Sequence, residues 1–107
     1  AIVLAKKAGL DPAKVRQALL GGFAQSKILE AHGQKMLERN FNPGFRIRLH
    51  EKDMKIALAT GSEYGVPLMV SGVVAQMMTA MKGMALADLD HSALVKLIEE
   101  LAKTELS

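Results

Sequence analysis

The 107-residue sequence predicts an all-α fold, a compact bundle of about five or six helices. Three observations carry that prediction. Apolar residues recur at helical spacings along most of the chain, Asp-Pro, Ser and Asp stand where helix starts need an N-terminal cap, and glycines punctuate the ends. Strand signals are nearly missing.

The elements follow in order. Ala1 to Ala8 reads as the tail of a helix closed by Gly9, the residue type suited to a left-handed C-terminal cap. Asp11-Pro12 starts the next helix, with Asp accepting an orphan amide and Pro losing nothing at the first helical position. Val15, Ala18 and Leu19 share one face, and Gly21-Gly22 ends the helix. Ser26 caps a third helix through Ile28, Leu29, His32 and Met36, with an expected break or bend near Gly33. Asn40 to Gly44 is a connecting loop with Pro-Gly turn chemistry. An amphipathic helix with a crowded charged side follows from about Ile47 to Thr60, broken by Gly61 and Gly65-Val66-Pro67. Leu68 to Met81 is apolar nearly all round, as a central helix covered by neighbours should be, and Gly83 closes it. Asp90 caps the last helix, whose stripe of Leu94, Leu97, Ile98, Leu101 and Ala102 is expected inside, with Glu99, Glu100 and Lys103 facing water.

Composition narrows the function. The chain is 50% apolar and 23% charged, enough to bury one core, with no internal boundary visible and too little length for a two-domain enzyme. The net charge of +3 is spread out, and the aromatic residues are only Phe23, Phe41, Phe45 and Tyr64, which argues against a nucleic-acid partner. With no cysteine, thiolate metal sites, cysteine nucleophiles and disulfides are excluded. His32, His50 and His91 are far apart in sequence with no metal-ligand spacing, so no metal site is expected. The uncharged stretch from Tyr64 to Met81 falls short of the roughly 20 residues of a bilayer span and contains Pro67 and Gln76, so no membrane is expected. The opening Ala1-Ile2-Val3-Leu4-Ala5-Lys6 has no initiator Met and places its charge after the apolar run, the reverse of a secretory signal. It reads as a cut through a longer protein, and a cytoplasmic location is expected.

No local constellation makes a self-contained active site. Gly21-Gly22-Phe23-Ala24 lacks the spacing of a phosphate-binding loop and reads as a helix terminator. Asp90, His91 and Ser92 are sequence neighbours whose side chains diverge, which suits capping better than a catalytic triad. Met77, Met78, Met81 and Met84 suit a core or a subunit interface. The segment from Phe41 to Leu58 is different. It puts Phe45, Lys52, Asp53 and Lys55 in and just after a loop entering a helix, with Lys52 one turn from Leu49 and Ile56. Patterning alone leaves two readings for these charges, a solvated face or the border of a cleft.

The run Glu38-Arg39-Asn40-Phe41-Asn42-Pro43-Gly44-Phe45-Arg46-Ile47-Arg48-Leu49-His50-Glu51-Lys52-Asp53, followed by Ile56-Ala57-Leu58, resembles the C-terminal helical domain of the β-hydroxyacid dehydrogenase family. Ala8-Gly9-Leu10-Asp11-Pro12, Gly21-Gly22 with Ser26, Val66-Pro67-Leu68 and Asp90-His91-Ser92-Ala93-Leu94 fall in the same order, so the resemblance covers the whole chain. It implies a bundle of the 6-phosphogluconate dehydrogenase C-terminal-like type. It also implies an enzyme whose N-terminal Rossmann domain binds most of an NAD or NADP cofactor, with residues 1–107 as its C-terminal substrate and dimerisation domain. The family's catalytic lysine lies in a Gly-x-x-x-Lys-x-x-Asn motif that this sequence lacks. Lys6 and Lys7 do not inherit the role, and no catalytic residue is expected in this chain. Lys52 and Asp53 match the family's Lys-Asp pair near the nicotinamide, and Phe45 matches an aromatic bordering the substrate pocket. The implied reaction is reduction of 2-hydroxy-3-oxopropanoate to glycerate, with a homo-oligomer formed through the helical domain. The alternatives are 3-hydroxyisobutyrate or a succinic semialdehyde as substrate, or a non-catalytic oligomerisation module.

Overall fold

The computed structural model describes residues 1–106. Its helices run Ile2–Lys7 (α1), Pro12–Leu20 (α2), Lys27–Glu38 (α3), Ile47–Glu63 (α4), Met69–Gly83 (α5) and Val95–Ala102 (α6), and a 3-10 turn, His91–Leu94, leads into α6. Among the described residues there is no strand, only an isolated antiparallel bridge between Arg46 and Asp90. The all-α expectation holds.

Helix starts follow the cap chemistry. The Asp11 side chain accepts from the Ala13 amide at 2.9 Å, and the Ser26 hydroxyl accepts from the Leu29 amide at 2.9 Å, each satisfying an orphan donor. Helix ends follow a shared backbone device. In α1 the amide of Leu10 donates to the carbonyl of Ala5 and that of Gly9 to Lys6, with Gly9 left-handed at φ 81°. α4 closes the same way on Gly65, but α3, α5 and α6 close on Arg39, Ala85 and Lys103, at φ 58°, 61° and 51°. Gly83 therefore lies inside α5, and the terminator is Ala85.

The chain divides into two compact units, one of Ala1–Phe41 with Val95 onward, the other of Asn42–Leu94. The sequence shows no boundary because the second junction falls where a 3-10 turn runs directly into α6, with no glycine, proline or polar linker to mark it.

In the first unit α2 packs on α1 and α3, and α6 packs on α1. Ile2, Val3, Ala5, Phe41, Val95 and Leu106 are buried. The expected facing of α6 is corrected here. Leu101 is exposed, whereas Glu99 is buried because Arg39 donates to both its oxygens at 2.8 Å and the Leu106 amide donates at 2.7 Å. Arg39 also lies 5.1 Å from the centre of the Phe41 ring, and Lys96 lies 5.0 Å from it. The expected break at Gly33 is absent, and α3 is uninterrupted. A Cβ there would lie 3.0 Å from Arg16 Cδ and Nε, so glycine admits the Arg16 side chain, which donates to the carbonyls of Leu29 and Glu30.

In the second unit α4 packs along α5, and both touch the 3-10 turn. Ile47, Ala75, Met78, Met81, Ala87 and Ala93 are buried. α5 is not covered all round: Met69, Val70 and Val73 are 78%, 77% and 62% exposed, since α4 covers one stripe only. Nor does Gly61 break α4, which continues to Glu63. A Cβ at Gly61 would lie 2.8 Å from the Val66 carbonyl oxygen and 2.9 Å from Leu68 Cδ1, so glycine permits the chain to fold back against the helix. Among the described residues no helix is long and apolar enough to cross a membrane.

Candidate functional site

The site is built on the start of α4 and belongs to the second unit. No side chain caps α4. Instead the amides of Ile47 and Arg48 donate to the carbonyls of Leu89 and Ala87, each at 3.0 Å, so a distant segment satisfies the orphan donors. The Arg48 guanidinium grips Asp88 with two hydrogen bonds, at 2.6 and 2.8 Å. That contact holds the Asp88 carboxyl below its usual range and raises Arg48.

Asp90, fully buried, ties the preceding turn to the same segment. One of its oxygens accepts from the amides of Gly44 and Phe45 at 2.9 and 3.1 Å, and the other accepts from the amide and hydroxyl of Ser92. Burial alone would raise this carboxyl. The donated hydrogen bonds from Ser92, Phe45 and Gly44 outweigh it and hold the group well below the usual carboxylate range. In return the His91 amide donates to the Phe45 carbonyl at 2.7 Å. The Phe45 ring sits 5.5 Å from the His91 ring and 5.9 Å from that of His50, whose Nδ1 is 3.0 Å from His91 Nδ1.

Further along α4 lies a cleft of about 580 Å³, lined by Arg48, Leu49, Glu51, Lys52, Lys55, Ile56, Ala59 and Lys82. Leu49, Ile56 and Ala59 make an apolar wall, and four cations stand around it. Glu51 is the buried anchor at 2% exposure. Lys55 lies 3.1 Å and Lys82 3.5 Å from its carboxylate, and the Thr79 hydroxyl donates to it at 3.1 Å. The hydrogen bond from Lys55, against the effect of burial and with help from Thr79 and Lys82, lowers the Glu51 carboxyl from its ordinary value. A ligand that joins an apolar group to an anionic one suits this combination of wall and cations.

The structure brings Lys52 and Asp53 together, with Nζ 3.0 Å from the carboxylate, and Lys52 lines the cleft while staying 61% exposed, so it fits both readings that patterning left open. Phe45 does not line the cleft; it stands at the turn before α4, against His50 and His91. Lys55, another of the charges covered by those two readings, is 62% exposed and also lines the cleft. Glu51, Arg48 and Lys82 were not singled out. The spacing of Glu51 and Lys55 by four residues was the one available signal, since an i, i+4 pair meets on a helix surface. The meeting of His50 with His91, 41 positions apart, had none.

Comparison with known proteins gives a consistent picture. The family model described as "NAD-binding of NADP-dependent 3-hydroxyisobutyrate dehydrogenase" matches residues 1–98. The whole chain is 44% identical to 37% of the 2-hydroxy-3-oxopropionate reductase of Escherichia coli K12. It is 31% identical, again over its whole length, to 36% of the 2-(hydroxymethyl)glutarate dehydrogenase of Eubacterium barkeri. Over 94% of its length it is 33% identical to 30% of a probable 3-hydroxyisobutyrate dehydrogenase-like protein, mitochondrial, of Arabidopsis thaliana. The chain thus spans about a third of the length of these curated relatives.

Proposed function

The chain belongs to the NAD-binding domain family of NADP-dependent 3-hydroxyisobutyrate dehydrogenase, and on that footing we propose that it is the helical domain of an oxidoreductase reducing 2-hydroxy-3-oxopropanoate (tartronate semialdehyde) to glycerate. The observation that carries this reading is Lys52, held beside Asp53 on a cleft that joins an apolar wall to a group of cations. Those residues fit a nicotinamide cofactor. Leu49, Ile56 and Ala59 would lie against a ring, and Lys52 would face the negative charge beside it. When bound, the nicotinamide supplies the hydride that the carbonyl carbon receives, and is itself oxidised.

The chain's own residues bind and orient. Asp53 restrains the Lys52 ammonium and Glu51 keeps Lys55 and Lys82 at the cleft. Phe45, which stands off that cleft at the turn before α4, is assigned to the substrate side by the family resemblance. We assign no catalytic residue here: the proton for the nascent alkoxide comes from the family's catalytic lysine, and this chain alone is expected to be inactive. NAD and NADP both suit the reading, because the choice rests with a ribose-contacting residue of a dinucleotide fold. The cytoplasm is the expected compartment. Association of copies through the helical domain is supported by the exposed Met69, Val70 and Val73 of α5.

The test is a substrate panel on the purified enzyme that carries this chain. Reduction of tartronate semialdehyde should have the highest kcat/KM. An enzyme that oxidises 3-hydroxyisobutyrate far faster would overturn the substrate, and a native gene product with no dinucleotide fold would overturn the dehydrogenase reading altogether.

A further inference from the structure

We propose that Asp90 is a positioning residue for the substrate pocket, acting through the Phe45 turn. The inference rests on the reading of Phe45 as a pocket residue and goes beyond it by naming what fixes that aromatic. As a cap for the 3-10 turn, Asp90 needs only its contacts to Ser92, which one carboxylate oxygen supplies. The other oxygen serves a different purpose. It accepts the amides of Gly44 and Phe45, 46 and 45 positions upstream, in a loop with no helix or strand of its own to hold it.

The return bond from the His91 amide to the Phe45 carbonyl means that both backbone polar groups of Phe45 are bound by residues 90 and 91. The backbone is pinned on both sides of the Cα, so the side chain departs from a fixed point, and the rings of His91 and His50 restrict where it goes. A fully buried carboxylate is costly unless hydrogen-bonded, so the site holds its shape only while these donors converge on it. Asparagine satisfies the local cap equally well but has a single acceptor oxygen. Its NH2 group must face either the Gly44 and Phe45 amides or the Ser92 amide, all of them donors.

The experiment is a double-mutant cycle in the intact enzyme, with Asp90→Asn, Phe45→Ala and the pair. Asp90→Asn should raise KM for the carbonyl substrate about tenfold, the effect of one charge-assisted hydrogen bond, with kcat and cofactor affinity changed less than about twofold. In the Phe45→Ala background the same substitution should change KM by less than about twofold, because its route of action is gone. Full additivity, or an unchanged KM in Asp90→Asn, would overturn the proposal while leaving Phe45 as a pocket residue. An unchanged KM in Phe45→Ala alone would remove the pocket reading, and this inference with it. Should Asp90→Asn not fold, Ser92→Ala removes one donor that orients the carboxylate, and the same cycle applies with an expected rise of about threefold, cancelled by Phe45→Ala. No rise, or one that persists without Phe45, would overturn the proposal equally.

Discussion

Replacing Gly61 by alanine sets two effects of opposite sign against each other, and the geometry decides between them. In a helix interior alanine is favoured over glycine by about 1 kcal/mol. The new Cβ, however, would lie 2.8 Å from the Val66 carbonyl oxygen, 2.9 Å from Leu68 Cδ1 and 3.1 Å from Leu68 Cγ. Leu68 can change rotamer, but the Val66 carbonyl cannot withdraw freely, because the Val66 amide donates to the Gly61 carbonyl at 2.8 Å and holds the two backbones together. Overpacking of this kind costs about 1–3 kcal/mol, and a backbone obstacle places it in the upper part of that range. The expected net loss is about 1–2 kcal/mol, or roughly 4–8 °C in midpoint for each kcal/mol in a domain of this size. The control is Gly72→Ala in α5, where the added Cβ meets nothing within 4 Å, and which should gain about 0.5–1 kcal/mol. Urea and thermal unfolding followed by far-UV circular dichroism measure both. A Gly61→Ala protein as stable as the parent, or a shift of the same sign at both positions, would refute the packing argument.

Three further outcomes follow from the site and the helix ends. Lys52→Ala should leave stability within about 0.5 kcal/mol, since its pair with Asp53 is largely exposed, yet lower kcat/KM of the intact enzyme about tenfold; unchanged kinetics would return Lys52 to a solvated face. The Lys55 hydrogen bond holds the Glu51 carboxyl below its ordinary value, so its stabilising contribution is present above the ordinary glutamate range and is lost as pH falls through the lower folded value. Glu51→Gln should therefore lower stability near neutral pH and flatten the decline as pH falls through and below the ordinary glutamate range; parallel urea-midpoint curves for the two proteins would count against it. Ala85→Gly should stabilise by about 0.5–1 kcal/mol, because the residue sits at φ 61°, where a Cβ is strained and glycine is not, and a lowered thermal midpoint would contradict this.

What the sequence disclosed tracks how local the physics is. The caps at Asp11 and Ser26 act over two or three residues and were legible. Helix ends were harder, because Arg39, Ala85 and Lys103 take the left-handed conformation that a reader of sequence reserves for glycine. Gly33 and Gly61 look like breaks but make room for Arg16 and for the Val66-Leu68 segment, contacts set by tertiary packing. Facing failed for the same reason: Glu99 is inside because Arg39, 60 positions away, meets it there. At the site, periodicity offered Lys52 only as one of two readings, and the choice of Lys52, Asp53 and Phe45 came from a family resemblance. Glu51 carried one local signal, its i, i+4 spacing to Lys55, but its bond to Thr79, its pairing with Lys82 and the long-range half of Asp90 join residues 28 to 46 positions apart, for which a single sequence holds no signal.

These polar anchors matter because the second unit has little apolar material with which to hold a precise shape. Two helices and a short turn bury Ile47, Met78 and Met81 with a few alanines, while much of α5 stays exposed. Hydrophobic burial is non-directional and cannot by itself aim a ring or an ammonium group. Direction comes from two buried carboxylates that act on different parts of the site. Asp90 holds backbone, the amides of the Phe45 turn, whereas Glu51 holds side chains, the ammonium groups of Lys55 and Lys82. The partners named for Asp90 and those named for Glu51 have no residue in common. Loss of the Asp90 charge should therefore move Phe45, the aromatic proposed to border the substrate, and leave the cation group in place, while loss of the Glu51 charge should loosen the cations and leave Phe45 where it is. In kinetic terms the first should appear in the KM of the carbonyl substrate and the second in the affinity for the anionic cofactor, a separation that a general loosening of the fold would not produce.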